Sequence, residues 1–445
     1  MTQPDDFSSQ SSMSFLDKLR ASWFGAFSSV FLARGVGSLA TFFTIALLGR
    51  TLGRAHYGDL VILLTIMKVA SELAGPALDT ALVRFVGAAE STGAQAAHYM
   101  RAVLRVKLAL SAAILIAGAI LVWPIQQIIF LREGGALVPL TTLGLAFLGA
   151  ALAMMYAFVQ SSYQARQQFD AYALLEVSGA LARLAAVGAL AVSGVANVTN
   201  MFVAYAGAPV AIAALAWIIA PVVTAGRDAI PASVWREIWH FTKWVIAACA
   251  FTSLAQRLDV FLIAAFDVPK ESVGDYCAAV QLTLLGDLVI ITLFNVLLPR
   301  ASRLRERREL LEFLRGFGMP TAMGFAALVP LVLGANFIAD LTFGNVYADT
   351  GALFALLLVG TAFALGSAPA GATLYGLGKA RTIAALECVK LMGVLAGGAV
   401  MVPQFGVFGM AWVVAAVKGS VGILTYGLAL LHVVRRDVVY PTHPQ

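Results

Sequence analysis

Charge is scarce in this chain: Asp, Glu, Lys and Arg together supply only 12% of its 445 residues. Cysteine and histidine are scarcer still, at three and five. Cys249, Cys277 and Cys388 have neither disulfide nor zinc spacing and fall in apolar stretches, so they read as small packing residues. His56, His98, His240, His432 and His443 are scattered near span ends with no metal-ligand spacing. No GxxxxGK[ST] run occurs, which leaves nucleotide hydrolysis by this chain without support. What fills the chain instead is apolar: 60% hydrophobic residues and a mean hydropathy of +0.86, far outside the range of soluble domains. The composition describes a polytopic membrane protein with no room for a soluble domain.

Apolar windows of bilayer length recur along the chain. Twelve spans are expected, at 25–49, 58–83, 103–123, 138–160, 173–193, 201–223, 244–266, 275–298, 317–338, 351–374, 382–402 and 407–432. An even number places both termini on one side. Of the 30 Lys and Arg residues, 20 lie on that side and only Arg50, Arg54, Arg132 and Lys270 lie opposite, so the positive-inside rule makes both termini cytoplasmic. Arg101, Arg105 and Lys107, at the start of the third span, count among the terminal-side anchors, while Arg50 and Arg54 read as snorkelling to the far surface. The pI near 9.3 then reflects topology and gives no nucleic-acid footprint. Residues 1–24 form an amphipathic cytoplasmic head with no signal-peptidase pattern, in which Phe15, Leu16, Leu19 and Trp23 share a helical face. Residues 433–445 form a cytoplasmic tail.

The two halves of the chain echo each other. A shift of 216 positions lays Gly58-Asp59 over Gly274-Asp275, Asp79 over Asn295, and Leu82 and Arg84 over Leu298 and Arg300. A shift of 211 lays "AYALLEV" (171–177) over "TIAALEC" (382–388), with Glu176 on Glu387. Two similar offsets point to a duplicated unit. The expected fold is all-α, with about 12 transmembrane helices in two pseudo-symmetric six-helix bundles, 25–223 and 244–432, joined by a cytoplasmic linker at 224–243.

Apart from residues at the span rims, twelve charged side chains fall within the expected spans: Arg34, Lys68, Glu72, Asp79, Glu176, Arg183, Arg257, Asp259, Asp287, Glu387, Lys390 and Lys418. Each costs at least about 2.5 kcal/mol at the centre of a lipid-facing helix, so they belong in a bundle interior or a wet cavity. Lys68 and Glu72 are one turn apart and positioned to pair, and Asp79 continues the same face toward the terminal side. Pro76 can bend that helix and free a carbonyl. Glu176 and Arg183 share one face of the fifth span, and Glu387 and Lys390 one face of the eleventh. Paired charges that only fix helix packing would account for any one of these residues. Packing contacts in membranes are usually made by small and neutral polar groups, however, so twelve balanced charges fit a central aqueous cavity better. Arg257 and Asp259 point to different faces of the seventh span. The run "PRASRLRERRELLEFLRG" after the eighth span has amphipathic spacing: Arg303, Arg305, Arg307 and Arg308 read either as positive-inside anchors or as collectors of anionic head groups.

The stretch "LLGRTLGRAHYGDLVILLTIMKVASELAGPALDTALVRFVG" (47–87) resembles the first two spans of the polysaccharide transporter family, the bacterial flippases of lipid-linked oligosaccharides, which belong with multidrug exporters of the MATE type. "QRLDVFLIAAFDVPKESVGDYCAAVQL" (256–282), "GATLYGLGKARTIAALECVKLMGVL" (371–395) and "QFGVFGMAWVVAAV" (404–417) are similar to later parts of that family. The resemblance implies a V-shaped pair of bundles in the bacterial cytoplasmic membrane. It implies alternating access that carries an undecaprenyl-pyrophosphate-linked sugar unit of an exopolysaccharide, capsule or O-antigen from the inner to the outer leaflet. A proton or sodium gradient would reset the cycle, with no other cofactor, and a polysaccharide polymerase and co-polymerase would act downstream. On that reading Arg34, Lys68, Arg183, Arg257, Lys390 and Lys418 line the anion's path, and Glu72, Asp79, Asp259 and Asp287 are the candidates for ion coupling. Two rivals stand beside it. A MATE-like antiporter of drugs or metabolites would call for surplus interior acid, whereas the interior charges balance at six and six. A membrane-embedded glycan polymerase or ligase would need a sizeable outer loop, and the longest expected one is 124–137.

Overall fold

The computed structural model describes residues 15–89, 93–130, 138–221, 229–266, 268–304, 306–316, 318–377 and 379–434. Among these there is no strand, and seven helices are long and apolar enough to cross a membrane, with a bent pair forming an eighth. The expected division into twelve is finer: it requires the two longest helices to be split and several more polar ones to be counted as crossings.

The first of the two, α1 (Phe15–Glu72), has 58 residues and would reach about 87 Å if straight, against a hydrocarbon core of about 30 Å. It is folded at Gly53, whose φ of 71° and ψ of 170° suit a residue without Cβ. The first leg runs alongside α5 (Phe169–Ser193), with Gly37 beside Glu176 and Ala180 and Leu47 beside Gly188. Lys68, 21 residues after Leu47, is back within electrostatic reach of Arg183, so the second leg returns along the first. The last helix, α14 (Ala380–Val434), folds the same way at Gly406, with φ 57°. Gly397 meets Val413, Gly398 meets Met410 and Gly393 meets Val417, contacts that a straight helix would hold tens of ångströms apart. Hydrocarbon offers no hydrophobic drive for helix association, so such small-residue contacts supply the close packing instead.

Between these, α2 (Gly75–Ala89) continues the second leg of α1 after a break at Leu73-Ala74. Pro76 sits in its first turn, where the missing N–H costs nothing. Then follow α3 (Gly93–Ile125), prolonged by a π-helical turn at Gln126–Phe130, α4 (Leu140–Ala165), α5 and α6 (Val198–Ile219). The head is helical from Phe15 without a break before the first leg, and the expected linker is helical from Ala232, the start of α7 (Ala232–Ala255). A bend of 48° at Gln256-Arg257 separates α7 from α8 (Leu258–Ala265). The chain closes with α9 (Lys270–Arg303), α10 (Arg307–Gly316), α11 (Gly318–Leu333), α12 (Ala335–Phe343), α13 (Thr350–Gly376) and α14.

Buried apolar residues divide by depth. At the Gly53 end one cluster draws on both halves, from Leu48, Tyr57 and Phe202 to Ile263, Tyr276, Phe343, Tyr347 and Met410. At the opposite end, where the described chain begins and ends, the cores are separate. Leu78, Leu82, Phe158 and Tyr163 pack with Val234 and Ile238 of α7 on one side, while Leu310, Leu314, Leu374 and Val433 pack on the other. Among the described residues the halves therefore form a V, joined at the Gly53 end and with separate cores at the terminal end, where the start of α7 packs on the first half.

Candidate functional site between the two halves

The second leg of α1 and α5 from one half, and α7–α8 from the other, bring three cations to the inner face of the V. Lys68 stands within electrostatic reach of Arg257, Tyr205, Glu72 and Arg183, which come from both halves, and its side chain is exposed, which makes that surface the wall of a cleft between them. Arg183 donates from Nε to the Tyr205 carbonyl at 3.1 Å and lies 4.4 Å above the Tyr205 ring. Cation, ring and carbonyl together fix its guanidinium. Arg257 owes its place to the bend: it has the non-helical φ of −134° at the α7–α8 junction, reaches Glu72 across the cleft at 3.8 Å, and keeps a buried Nε without a hydrogen-bond acceptor. Glu72 also accepts from Ser253 Oγ at 3.0 Å.

The expected pairing of Lys68 with Glu72 is thus replaced by ties across the cleft. Glu72 is the last residue of α1, and its carboxylate turns toward α7 instead of back along its own helix. The break after it also interrupts the stripe expected to run on to Asp79. Asp79 faces the other way, accepting from Lys107 Nζ at 2.5 Å and from Ser161 Oγ at 2.7 Å. Lys107 also donates to the Met154 carbonyl at 3.2 Å, and its side chain is wholly buried while that of Asp79 is 20% exposed. Lys107 is therefore an interior charge, not a surface anchor. The signal in the sequence was its place four residues inside the third span.

In the C-terminal half, Asp259 is buried and accepts from Tyr276 Oη at 2.7 Å and from the Val260 amide, with Arg257 and Lys418 within electrostatic reach. Lys418 packs its stem against Gly360 of α13. Lys390 pairs with Glu387 at 3.0 Å on the first leg of α14. Tyr375 of α13 links this pair to the cleft, standing within electrostatic reach of Glu387 and of Cys249, which in turn lies near Glu72. The side chains of Arg34, Asp287, Arg303 and Arg305 lie outside the described residues. Arg307 and Arg308 are exposed on α10, which buries Leu310 and Leu314 against α13 and α14, and Arg308 pairs with Glu312 at 2.9 Å.

Two further features border the cleft. A groove of about 430 Å³ with a wholly apolar lining runs between Ile66, Val69 and Ala70 of α1, with Leu73 just after it, and Phe261, Leu262 and Ala265 of α8. At the Gly53 end, Arg50 donates to the carbonyls of Leu341 and Thr342, Tyr347 Oη donates to the Gly49 carbonyl at 2.7 Å, and Arg54 pairs with Asp275. Arg50 and Arg54 are thus interhalf contacts instead of snorkelling side chains, because the partners that hold them lie nearly 300 and 221 residues away in the chain.

The sequence profile of the family described as "Polysaccharide biosynthesis protein" matches residues 25–305, well over half of the chain. The chain belongs to that family. No curated protein matches it in sequence. Among solved structures it is similar to an inward-facing multidrug resistance MATE family transporter of the MOP superfamily, at TM-score 0.73 and 13% identity over 91% of this chain and 96% of the other. It is similar also to the lipid II flippase MurJ in an inward closed conformation, at TM-score 0.70 and 13% identity over 93% and 87%. An outward-facing MATE structure matches at TM-score 0.63 and 15% identity over 92% and 94%. These likenesses, each spanning most of both chains at low identity, show a shared fold.

Proposed function

We propose that this protein is a flippase for a polyprenyl-pyrophosphate-linked oligosaccharide. It would work by alternating access in the bacterial inner membrane, with the terminal end cytoplasmic. One observation carries the reading: Lys68, Arg183 and Arg257 converge from both halves on an accessible interior face, where a pyrophosphate in transit needs cations held by protein. The apolar groove beside them offers the isoprenoid tail a path along the seam while the head group uses the wet cleft. The family's link to polysaccharide biosynthesis supports a glycan cargo. Lys390 and Lys418 extend the cationic wall, and Asp79 and Asp259 are the described carboxylates best placed to exchange an ion. The reading assigns no bond-making step to the chain. An exporter of organic cations would place acid where these three cations stand.

The test is leaflet-to-leaflet movement of a lipid-linked oligosaccharide in proteoliposomes. Lys68→Gln with Arg257→Gln should cut transport by at least about 100-fold while the protein still inserts and purifies as wild type, since each lost hydrogen bond to a charged group is worth about 1.5–3 kcal/mol. Unchanged transport in the double variant would remove the cationic path.

A further inference from the structure

The closed end of the V carries a symmetry that the repeat explains. Arg54 meets Asp275 of α9, with Nε 3.0 Å from Oδ1, and Lys270 of α9 meets Asp59 at 3.8 Å. The 216-residue shift that lays Gly58-Asp59 on Gly274-Asp275 also lays Arg54 on Lys270. Each half therefore presents a cation followed five positions later by an acid, and each cation reaches across to the acid of the other half. At the centre the two glycines touch: a Cβ on Gly58 would stand 3.1 Å from the Gly274 nitrogen, and one on Gly274 would stand 2.0 Å from the Arg54 carbonyl oxygen. A patch that meets its own copy with partners exchanged is the arrangement of a two-fold interface, here formed within one chain.

We propose that this cross-paired patch is a clasp that holds the Gly53 end shut and releases both ion pairs together when that end opens. The exchange of partners dictates the joint release. Because the pairs are exchanged across the same Gly58–Gly274 contact, a movement that parts the halves at that contact lengthens both. The Asp275 side chain has no exposure and that of Asp59 only 8%, so neither carboxylate can lose its cation while the patch stays dry. Opening must admit water to both at once, which makes the clasp a switch with two positions. It rests on the transport reading only in requiring that the halves move, and it is independent of the cargo.

The experiment uses the full chain in lipid nanodiscs, with Cys249, Cys277 and Cys388 replaced by Ala and nitroxides at Thr51 and Glu271, both exposed beside the patch. Double electron–electron resonance should give a single short distance for the otherwise unaltered protein. Arg54→Gln should raise the long-distance population by about tenfold, Lys270→Gln by less because its pair is longer, and the two together by more than either. The charge exchange Arg54→Asp with Asp275→Arg should restore the short distance. An unchanged distribution in the neutralised variants overturns the clasp, and so does a folded charge-exchange variant that stays open. Lost transport in the Lys68 and Arg257 variants alongside a normal distance distribution bears on the cargo alone and leaves the clasp standing.

Discussion

Removing one partner of the Asp79–Lys107 pair should have very unequal consequences depending on which partner is removed. Lys107 has no exposed surface and makes two hydrogen bonds, to Asp79 at 2.5 Å and to the Met154 carbonyl at 3.2 Å. Asp79→Asn therefore leaves an ammonium group inside the bundle with only neutral oxygens around it, and breaking a buried pair in this way costs about 3–5 kcal/mol. Lys107→Met leaves a carboxylate that is 20% exposed and still accepts from Ser161 at 2.7 Å, so water and the hydroxyl retain part of its solvation and the loss should be about half as large. The double variant replaces the pair with an amide and an apolar chain of similar length and should lie within about 1 kcal/mol of wild type, giving a coupling energy of several kcal/mol in the cycle. Reversible unfolding in mixed micelles measures all four. Equal losses in the two single variants, or a double variant as unstable as the sum of the singles, would refute the reasoning. If Asp79 exchanges the driving ion, the stable double variant should also have lost the response of transport to an imposed proton or sodium gradient.

Arg183→Lys keeps the charge in the cleft but gives up the planar contact over Tyr205, so transport at low substrate concentration should fall several-fold, within the range of about 0.5–2 kcal/mol for such a contact, with folding unaffected. Full activity would show that charge alone matters there. Gly274→Ala drives a methyl group into the Arg54 carbonyl and should lower the melting temperature clearly, whereas Gly144→Ala in α4, with open space around it, should leave the temperature unchanged or raise it. Equal melting of the two would contradict the close approach of the halves.

Hydropathy alone carried the all-helical architecture, and the 216-residue echo pointed to the pair Gly58-Asp59 and Gly274-Asp275 before any geometry was known. The interior charges were legible too, because a side chain with a cost of several kcal/mol in lipid announces its own environment. Their partners were not. Periodicity relates residues along one helix, so it joined Lys68 to Glu72; the carboxylate instead goes to Ser253, 181 residues away, because the helix ends there. Arg257 read as a member of a continuous span, while the bend at Gln256-Arg257 is what turns it into the cleft. Lys107 was hidden by the convention that basic residues at a span's rim belong to the surface, and only the approach of α2 and α4 reveals its enclosure. Arg54 was obscured for the same reason: its partner belongs to the opposite half.

The hairpin of α14 has a mechanical meaning. Its legs are zipped side to side, with Gly393, Gly397 and Gly398 seated against Val417, Val413 and Met410, and Gly406, with its left-handed backbone, lies at the tip. Two rods joined in this way cannot slide or splay independently and must travel as one stiff lever. A displacement of Lys390 in the first rod would then carry Lys418 in the second with it, and Lys418 stands within electrostatic reach of Asp259.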